Sequence, residues 1–149
     1  MIIIRPMAIE DCEAVHEIDR ACFTDAWSLT MFEDLFYYPT NFYFVAEERE
    51  EGALCGFGGI IASIDTADIM NIGVLPEYRR RGVGQQLLEA LIIQAETCGC
   101  EQMMLEVRKS NTPAIQLYES NGFHPIAIRK NYYSNPIEDG IIMQRLYKK

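Results

Sequence analysis

Two spacings of hydrophobic residues divide the chain into strands and helices. Apolar residues three or four apart predict amphipathic helices over residues 9–22 and 85–98, and shorter helices after Ser28 and over residues 111–121. Short β-branched and aromatic runs predict strands at residues 2–5, 42–48, 54–64, 67–75, 103–108, 123–130 and 141–146. Strands that alternate with helices predict a mixed α/β sheet in a single domain over residues 1–149.

Polar residues mark the ends of several of these elements. Ser28 is suited to be the N-cap of the second helix, in which Phe32, Leu35 and Phe36 would share one face. Gly99 is suited to end the long helix. The polar stretch of residues 131–140 predicts a loop between the last two strands.

The junction between the strand at residues 67–75 and the long helix has the character of an anion site. It contains Arg79, Arg80 and Arg81, followed by Gly82 and Gly84. The first turn of a helix has backbone N–H groups without partners and a dipole that favours negative charge. Glycines let an anion approach the backbone, and guanidinium groups donate paired hydrogen bonds to phosphate. The junction therefore predicts a phosphate site, and a solvated turn is the alternative.

Composition indicates a soluble globular protein with an acidic surface. The 149 residues are 49% hydrophobic and carry a formal net charge of −9. This charge argues against nonspecific binding to nucleic acid or to an anionic membrane. No apolar run is long enough to cross a bilayer or to form a signal peptide, so a cytoplasmic protein is expected. The five scattered cysteines favour reduced thiols over a disulfide framework.

An ordered series of motifs runs through the second half of the chain. It comprises Gly73-Val74, Pro76, Tyr78, Arg79-x-x-Gly82-x-Gly84, Leu105-Glu106-Val107-Arg108, Asn111, Ala114, Tyr118 and Gly122-Phe123. In this order and at these spacings, the series resembles the GCN5-related N-acetyltransferase (GNAT) family. Three further strings resemble the ribosomal-protein-alanine N-acetyltransferase (RimI) type within that family: Leu117-Tyr118-Glu119-Ser120, Arg129-Lys130-Asn131-Tyr132-Tyr133 and Ile141-Ile142-Met143.

The resemblance implies that an acetyl group is transferred from acetyl-CoA to an amine, without a metal. It implies a central sheet that is splayed open between the strand ending near Val74 and the strand at residues 103–108. Pantetheine would lie in this split like an additional strand, and the diphosphate would bind the amides of residues 81–85. The implied coenzyme-binding residues are Ile72, Gly73, Val74, Arg79, Arg80, Arg81, Gly82, Val83, Gly84, Gln85, Asn111 and Tyr118.

The resemblance also implies an acceptor, namely the N-terminal α-amino group of a protein and in particular the N-terminal alanine of a ribosomal protein. Trp27, Tyr132 and Tyr133 would border this acceptor. The acidic surface suits a basic partner, and a monomer or weak dimer is expected. A lysine side chain or a small amine is the alternative acceptor. A CoA-binding regulatory module without turnover is the non-enzymatic alternative.

Glu106 is the candidate general base. An α-amino group has a pKa of about 8, so at neutral pH much of it must lose a proton before it can attack a thioester. Strand alternation places Glu106 and Arg108 on the face opposite Leu105 and Val107. An ordinary strand glutamate paired with Arg108 or Lys109 is the alternative.

Tyr118 is the candidate general acid. Its phenol, with a reference pKa of about 10, could protonate a departing thiolate whose thiol titrates near about 8.5. A core tyrosine packed with Ala114 and Leu117 is the alternative. Asn111 is a natural N-cap, and the resemblance suggests that it also contacts the coenzyme. By the same resemblance, the Val74 N–H would stabilise the oxyanion, with a local bulge at Gly73.

Metal and nucleotide sites are disfavoured. Cys98 and Cys100 have only the distant His16 and His124 as further ligands, whereas closed zinc sites need four. No cysteine has an evident base beside it, which argues against an acyl-enzyme. The glycine loop is not followed by the Gly-Lys-Ser/Thr of a Walker site.

Overall fold

Seven strands form one sheet, and helices cover both of its faces. The computed structural model describes residues 1–147. Its strands are β1 Ile2–Pro6, β2 Asn41–Glu48, β3 Ala53–Ala62, β4 Thr66–Val74, β5 Gln102–Arg108, β6 His124–Tyr133 and β7 Glu138–Leu146. Its helices are α1 Cys12–Cys22, α2 Leu29–Asp34, α3 Val83–Thr97 and α4 Thr112–Ser120, with short 3₁₀ turns at Ile9–Asp11, Leu35–Tyr37 and Pro76–Tyr78.

The sheet is split between its two parallel strands. The strand order is β1-β2-β3-β4-β5-β7-β6, and every neighbouring pair is antiparallel except β4 and β5. These two strands pair only where residues 66–68 face residues 102–104. Beyond this point they separate, although β4 continues to Val74 and β5 to Arg108. The sheet therefore opens into a V, which confirms the splayed mixed sheet that the resemblance implied.

Helices α1 and α3 pack on opposite faces of the sheet. Phe57 of β3 belongs to a buried cluster with Val15 and Ile18 of α1. On the other face, a Cβ built on the neighbouring Gly58 would lie 3.4 Å from the side chain of Leu91 in α3. Burial of an apolar side chain of this size contributes about 1.5–3 kcal/mol. The two packed faces hold β3 and β4 in place and so fix one side of the V.

The connection between β6 and β7 is shorter than the sequence predicts. The predicted loop covers residues 131–140, but β6 continues to Tyr133 and β7 begins at Glu138. The pairing shifts register after Arg129, and Asn131 has a left-handed φ of 50° while its N–H donates to Asp139 Oδ1 at 2.9 Å. Asparagine tolerates this conformation. The polar residues therefore form an irregular stretch inside β6, and the tyrosines that follow belong to the strand.

The second helix also differs from its prediction. Ser28 Oγ accepts a hydrogen bond from the Met31 N–H at 3.2 Å, which confirms the predicted N-cap. Phe32 is fully buried and Leu35 is partly buried, but Phe36 is 44% exposed. The α-helix ends at Asp34 and continues as a 3₁₀ turn. A 3₁₀-helix has about 3.0 residues per turn, compared with about 3.6 in an α-helix. The change rotates Phe36 away from the buried face that Phe32 and Leu35 share.

Two further predictions concern the helices and the cysteines. Gly99 has a left-handed φ of 81° directly after the C-cap of α3, as predicted for a residue that ends a helix. Cys12, Cys55 and Cys100 are buried free thiols, whereas Cys98 is exposed. Within residues 1–147, none of the helices has the length and hydropathy needed to cross a membrane.

Candidate active site

A cleft of about 510 Å³ lies in the V between β4 and β5. Six of the predicted site residues line it: Trp27, Ile72, Glu106, Asn111, Tyr118 and Tyr133. They come from the loop before α2, from β4 and β5, from the N-terminus and body of α4, and from the end of β6. The split of the sheet therefore brings together candidates that are distant in the sequence.

The edge of β4 that faces the cleft presents main-chain groups. The Leu75 N–H donates to Cys55 O of β3 at 2.8 Å. Successive N–H groups of a strand point to opposite edges, so the Val74 N–H points into the split. The pairing with β5 has already ended at this level. These amides are suited to bind an extended chain, and the Val74 N–H is suited to an oxyanion.

The bulge in β4 lies at Met70, so the predicted bulge at Gly73 is wrong. Gly59 of β3 pairs with Asn71 and the next residue pairs with Ile69, which leaves Met70 as the extra residue. Gly73 pairs regularly with Phe57. The bulge adds one residue and so reverses which amides face β3 further along the strand. Met70 thereby determines that the Val74 N–H faces the cleft.

The first turn of α3 provides three of the five amides that were predicted to bind the diphosphate, those of residues 83–85. Gly82 is the N-cap, with a left-handed φ of 79°. The first helical hydrogen bond runs from the Gln86 N–H to Gly82 O at 3.1 Å. The N–H groups of Val83, Gly84 and Gln85 precede this bond and have no partner within the helix. The left-handed Gly82 directs this turn of amides outwards.

The space in front of this turn is open, and it adjoins the split. A Cβ built on Gly82 would have no atom within 4 Å. A Cβ built on Gly84 would lie 3.5 Å from Leu117 of α4 and 4.0 Å from Val74, both ordinary contacts. Protein packing therefore does not require a glycine at residue 84. The turn lies beside the end of β4, although its residues do not line the cleft itself.

The three arginines take different positions around the turn. The Arg79 Nε donates to Val74 O at 3.0 Å, so this side chain braces the end of β4. Arg81 lies over the ring of Tyr78, 5.2 Å from the ring centroid. Arg80 is exposed and has a left-handed φ of 64°. Arg79 thus has a structural contact that the sequence did not indicate, and Arg80 and Arg81 have exposed side chains.

Gln85 connects α3 to α4 through its side chain. Its Nε2 donates to Asn121 Oδ1 at 2.9 Å, and Asn121 Nδ2 donates back to Gln85 Oε1 at 2.8 Å. This reciprocal amide pair fixes the start of α3 against the end of α4. Because the Gln85 side chain is engaged in this pair, its main-chain N–H is the group available for the predicted contact with the coenzyme.

Glu106 projects into the cleft from β5. Its neighbours Leu105 and Val107 are buried, whereas the Glu106 side chain is 30% exposed, as the alternation predicted. Arg129 Nε lies 3.6 Å from Glu106 Oε1. The hydroxyl of Tyr132 hydrogen-bonds to Glu106, which raises the pKa of Tyr132. Burial, together with the negative charge of Glu106, raises the pKa of Asp68.

The alternative interpretation of Glu106 named Arg108 or Lys109 as its ion-pair partner. Arg108 instead pairs with Glu138 at 3.3 Å and with Asp25 at 3.5 Å. The cation that does approach Glu106, Arg129, is more than half exposed, and exposed ion pairs contribute little to stability. Glu106 is therefore an accessible carboxylate in the cleft, and its nearby cation is loosely held.

Tyr118 has features of both interpretations that the sequence left open. Its ring packs edge-on against Phe123 at a centroid distance of 5.7 Å, within the main buried cluster. It also lines the cleft. Burial, with a smaller contribution from Tyr133, raises the pKa of Tyr118 to about 12. The phenol therefore carries its proton at neutral pH.

Asn111 is the N-cap of α4, as predicted. Its Oδ1 accepts a hydrogen bond from the Ala114 N–H at 3.3 Å. The residue also lines the cleft, so its remaining amide group lies beside the space where a ligand would bind.

Two of the three aromatic residues predicted to border the acceptor line the cleft, and the third lies beside one of them. Trp27 lines the cleft, and its main-chain N–H donates to Asp19 Oδ2 at 2.6 Å. Tyr133 also lines the cleft, from the end of β6 on the β5 side of the split. Tyr132 does not line it, but its ring stands at 83° to that of Tyr133, with 5.0 Å between the centroids. Tyr132 therefore reaches the site through its hydrogen bond to Glu106.

Asp19 is a cleft residue that the sequence interpretation missed. It is only 1% exposed, and burial raises its pKa against the opposing hydrogen bond from the Trp27 N–H. It also interacts with the side chain of Asn71, which accepts a hydrogen bond from the Tyr43 hydroxyl at 3.2 Å. Asp19 lies seven residues after Cys12 and four after Val15, on the apolar stripe of α1. That spacing was the signal for a buried carboxylate.

The comparisons with known proteins identify the fold and the chemistry together. Residues 12–123 match the model of the acetyltransferase (GNAT) family. This chain belongs to the GNAT family. It is similar to the ribosomal protein bS18-alanine N-acetyltransferase of Salmonella typhimurium, with 38% identity over 92% of each chain. The enzyme of that name from Escherichia coli K12 is 36% identical over 94% of each chain.

A solved structure agrees over the whole length of this GNAT protein. The crystal structure of the ribosomal-protein-S18-alanine N-acetyltransferase from Escherichia coli superposes with a TM-score of 0.90 and 34% identity. The match covers 100% of this chain and 96% of that one. The chain is therefore an acetyl-CoA-dependent N-acetyltransferase.

The residues of this GNAT protein fit acetyl-CoA on structural grounds. The free edge of β4, the open cleft and the amides at the mouth of α3 are suited to an extended amide-containing chain that ends in a diphosphate. Among residues 1–147, no group of three or more His, Cys, Asp or Glu side chains is placed to hold a metal ion.

Proposed function

We propose that this chain transfers an acetyl group from acetyl-CoA to the N-terminal α-amino group of a protein, in particular the N-terminal alanine of a ribosomal protein. The single observation that carries the proposal is the position of Glu106. Its carboxylate lies in the cleft, on the strand that faces the free edge of β4. A base at this point is beside the place where a nucleophile would meet a thioester held along β4.

The relatives support the choice of a protein N-terminus as acceptor. The two enzymes that are 36–38% identical over nearly their full length are named as alanine N-acetyltransferases of ribosomal protein bS18. The charge of the cleft agrees with a cationic acceptor, since four of its lining residues are acidic and one is basic. Asp19, Asp25, Glu106 and Glu138 are the acidic residues, and Arg108 is the basic one. A free α-ammonium group is attracted to such a cleft.

Four groups of the chain have distinct roles in the proposed reaction. Glu106 accepts the proton of the attacking amine, directly or through a water molecule. The Val74 N–H donates a hydrogen bond to the carbonyl oxygen as negative charge develops there. The amine nitrogen forms a C–N bond with the thioester carbon and the C–S bond breaks, and Tyr118 donates its proton to the departing sulfur so that the thiol form leaves. The amides of residues 83–85 hold the diphosphate and thereby position the thioester.

The test is mass spectrometry of peptides incubated with the enzyme and acetyl-CoA. Peptides that begin with alanine and end in a basic tail are compared with the same peptides blocked at the N-terminus, each with one internal lysine. We expect a gain of one acetyl group on the free peptide, located at the α-amino group, and none on the blocked one. Acetylation of the lysine in the blocked peptide would contradict the proposed acceptor. Binding of CoA without transfer to any peptide would favour the regulatory module.

A further inference from the structure

Arg108 occupies the mouth of the cleft and is the last residue of β5. Its guanidinium makes several contacts at once. Nη2 donates to Ser134 O at 2.7 Å, and Nη1 donates to Pro136 O at 2.9 Å and to Glu138 Oε1 at 3.3 Å. The guanidinium also lies over the ring of Tyr133, 4.6 Å from its centroid. All of these partners belong to the end of β6, the start of β7 and the loop between them.

The same guanidinium also reaches the other side of the mouth. Nη2 lies 3.5 Å from Oδ2 of Asp25, a residue in the loop between α1 and α2. This loop carries Trp27, whereas the loop after β6 follows Tyr133 directly. The two loops are far apart in the sequence and belong to different sides of the split. Among the ion pairs of residues 1–147, those of Arg108 join the loop before α2 to the start of β7.

We propose that Arg108 is a positioning residue that sets the separation of the two aromatic walls around the acceptor. This inference rests on the proposed function, because it assigns Trp27 and Tyr133 to the binding of the acceptor. Arg108 acts through these two residues by holding the loops that carry them. Glu138 extends the connection, since its second oxygen accepts a hydrogen bond from the Ser110 N–H at 2.7 Å. This hydrogen bond connects the segment just before α4, next to the N-cap Asn111, to the two loops that Arg108 holds.

The chemistry of the guanidinium explains why an arginine is needed. Its planar fork offers five donors in fixed directions and can stack on an aromatic ring while it donates. A lysine has the same charge but a single nitrogen, which cannot reach two carbonyl oxygens and two carboxylates on opposite sides of the mouth. The Arg108 side chain is only 22% exposed, so its geometry is held by its surroundings. Replacement by lysine therefore preserves the charge and removes the bridge.

The experiment compares three variants in steady-state kinetics with an alanine-leading peptide. Arg108→Lys is expected to raise the KM for the peptide about tenfold, because a small misplacement of binding groups is costly in a preorganised site. Asp25→Asn removes the ion pair across the mouth, together with one acidic charge of the cleft, and is expected to raise the same KM about two- to fivefold, as for an exposed ion pair. The KM for acetyl-CoA should change less than twofold in both variants.

Arg5→Lys is the matched control. Arg5 makes a bidentate pair with Asp11 at 2.8 and 3.0 Å and a third contact with Glu47 at 3.0 Å, on β1 at the opposite edge of the sheet. The variant Arg5→Lys should lower the Tm at least as much as Arg108→Lys does, and it should leave the KM for the peptide unchanged. If Arg108→Lys changes only the Tm, or if Asp25→Asn leaves the KM for the peptide unchanged, the proposal is overturned.

Hydrogen exchange separates this proposal from the proposed function. In Arg108→Lys, the amides of residues 23–28 and 134–137 should both exchange faster than in the wild-type protein, whereas in Arg5→Lys they should not. This measurement needs no acceptor. If the wild-type protein acetylates no peptide but both loops loosen, the proposed function fails and the bridge stands. If transfer is normal and neither loop changes, the bridge fails and the proposed function stands.

Discussion

The β4 side of the split presents main-chain amides to the proposed coenzyme site, whereas the β5 side presents side chains to the proposed acceptor site. On the first side are the Val74 N–H and the first turn of α3, which is fixed by packing on the sheet and by the Gln85–Asn121 pair. On the second side are Glu106, Tyr132 and Arg108, each held by hydrogen bonds or ion pairs between side chains.

The difference indicates how each side responds to substitution. Main-chain donors keep their position as long as the backbone does, so only a change that blocks access or alters the backbone affects them. Side-chain groups can be removed one atom at a time. Substitutions on the β5 side should therefore change turnover or the KM for the acceptor, and substitutions on the β4 side should change the KM for acetyl-CoA.

Glu106→Gln should have the largest effect. The amide keeps the size of the side chain but cannot accept the proton of the amine, so kcat should fall by about 10²–10⁴-fold. The KM for acetyl-CoA should change little, because Glu106 lies across the split from the β4 amides. Steady-state kinetics with a saturating peptide measures both quantities. A kcat within threefold of the wild-type value would remove Glu106 from its role.

Tyr118→Phe should have the second largest effect, with kcat lower by about 10–100-fold. The loss is smaller because a thiol that titrates near about 8.5 makes a tolerable leaving group without assistance. Since the pKa of Tyr118 is raised to about 12, its proton is present below that pH and is lost only as the pH rises through it. The ratio of wild-type to variant kcat should therefore stay constant from pH 7 to pH 10. A ratio that falls to one within this range would contradict the assignment.

Gly84→Ala tests the β4 side. The added methyl group makes only ordinary contacts with Leu117 and Val74, and alanine is preferred over glycine within a helix by about 0.5–1 kcal/mol. The Tm should therefore be equal or higher. The KM for acetyl-CoA should rise about tenfold, because the methyl group projects beside amides that bind an anion. A lower Tm, or a KM that changes for the peptide instead, would contradict the division between the two sides.

Tyr132→Phe should have the smallest effect. It removes the hydroxyl that hydrogen-bonds to Glu106, and kcat/KM for the peptide should fall about two- to fivefold. Tyr37→Phe is the matched control, since Tyr37 is 79% exposed and lies outside the cleft. Equal effects of the two variants on kcat/KM would show that the hydrogen bond from the Tyr132 hydroxyl to Glu106 does not contribute to the reaction.

The sequence predicts the regular parts of the fold well. The period of the apolar residues identifies α3 and the alternation in β5, and a single serine identifies the start of α2. It does not predict the irregular parts, because these depend on pairing between distant strands. The bulge at Met70 follows from the register of β3 against β4, and the continuation of β6 through Asn131 follows from its pairing with β7.

The candidate site divides in a similar way. Glu106, Asn111 and Tyr118 could be named because a motif carries them in order. The sequence did not reveal the roles of Asp19 and Arg108, because these roles arise from contacts with segments far away in the chain. The spacing of Asp19 on the apolar stripe of α1 was a usable signal, whereas nothing in the sequence indicated that Arg108 would contact both Asp25 and Glu138.

The most direct test of the central claim is a crystal structure of the protein with acetyl-CoA bound. We expect the diphosphate to lie within hydrogen-bonding distance of the N–H groups of residues 83–85, and the thioester to lie between Val74 and Glu106. A diphosphate bound elsewhere, or a thioester outside the split between β4 and β5, would contradict this account.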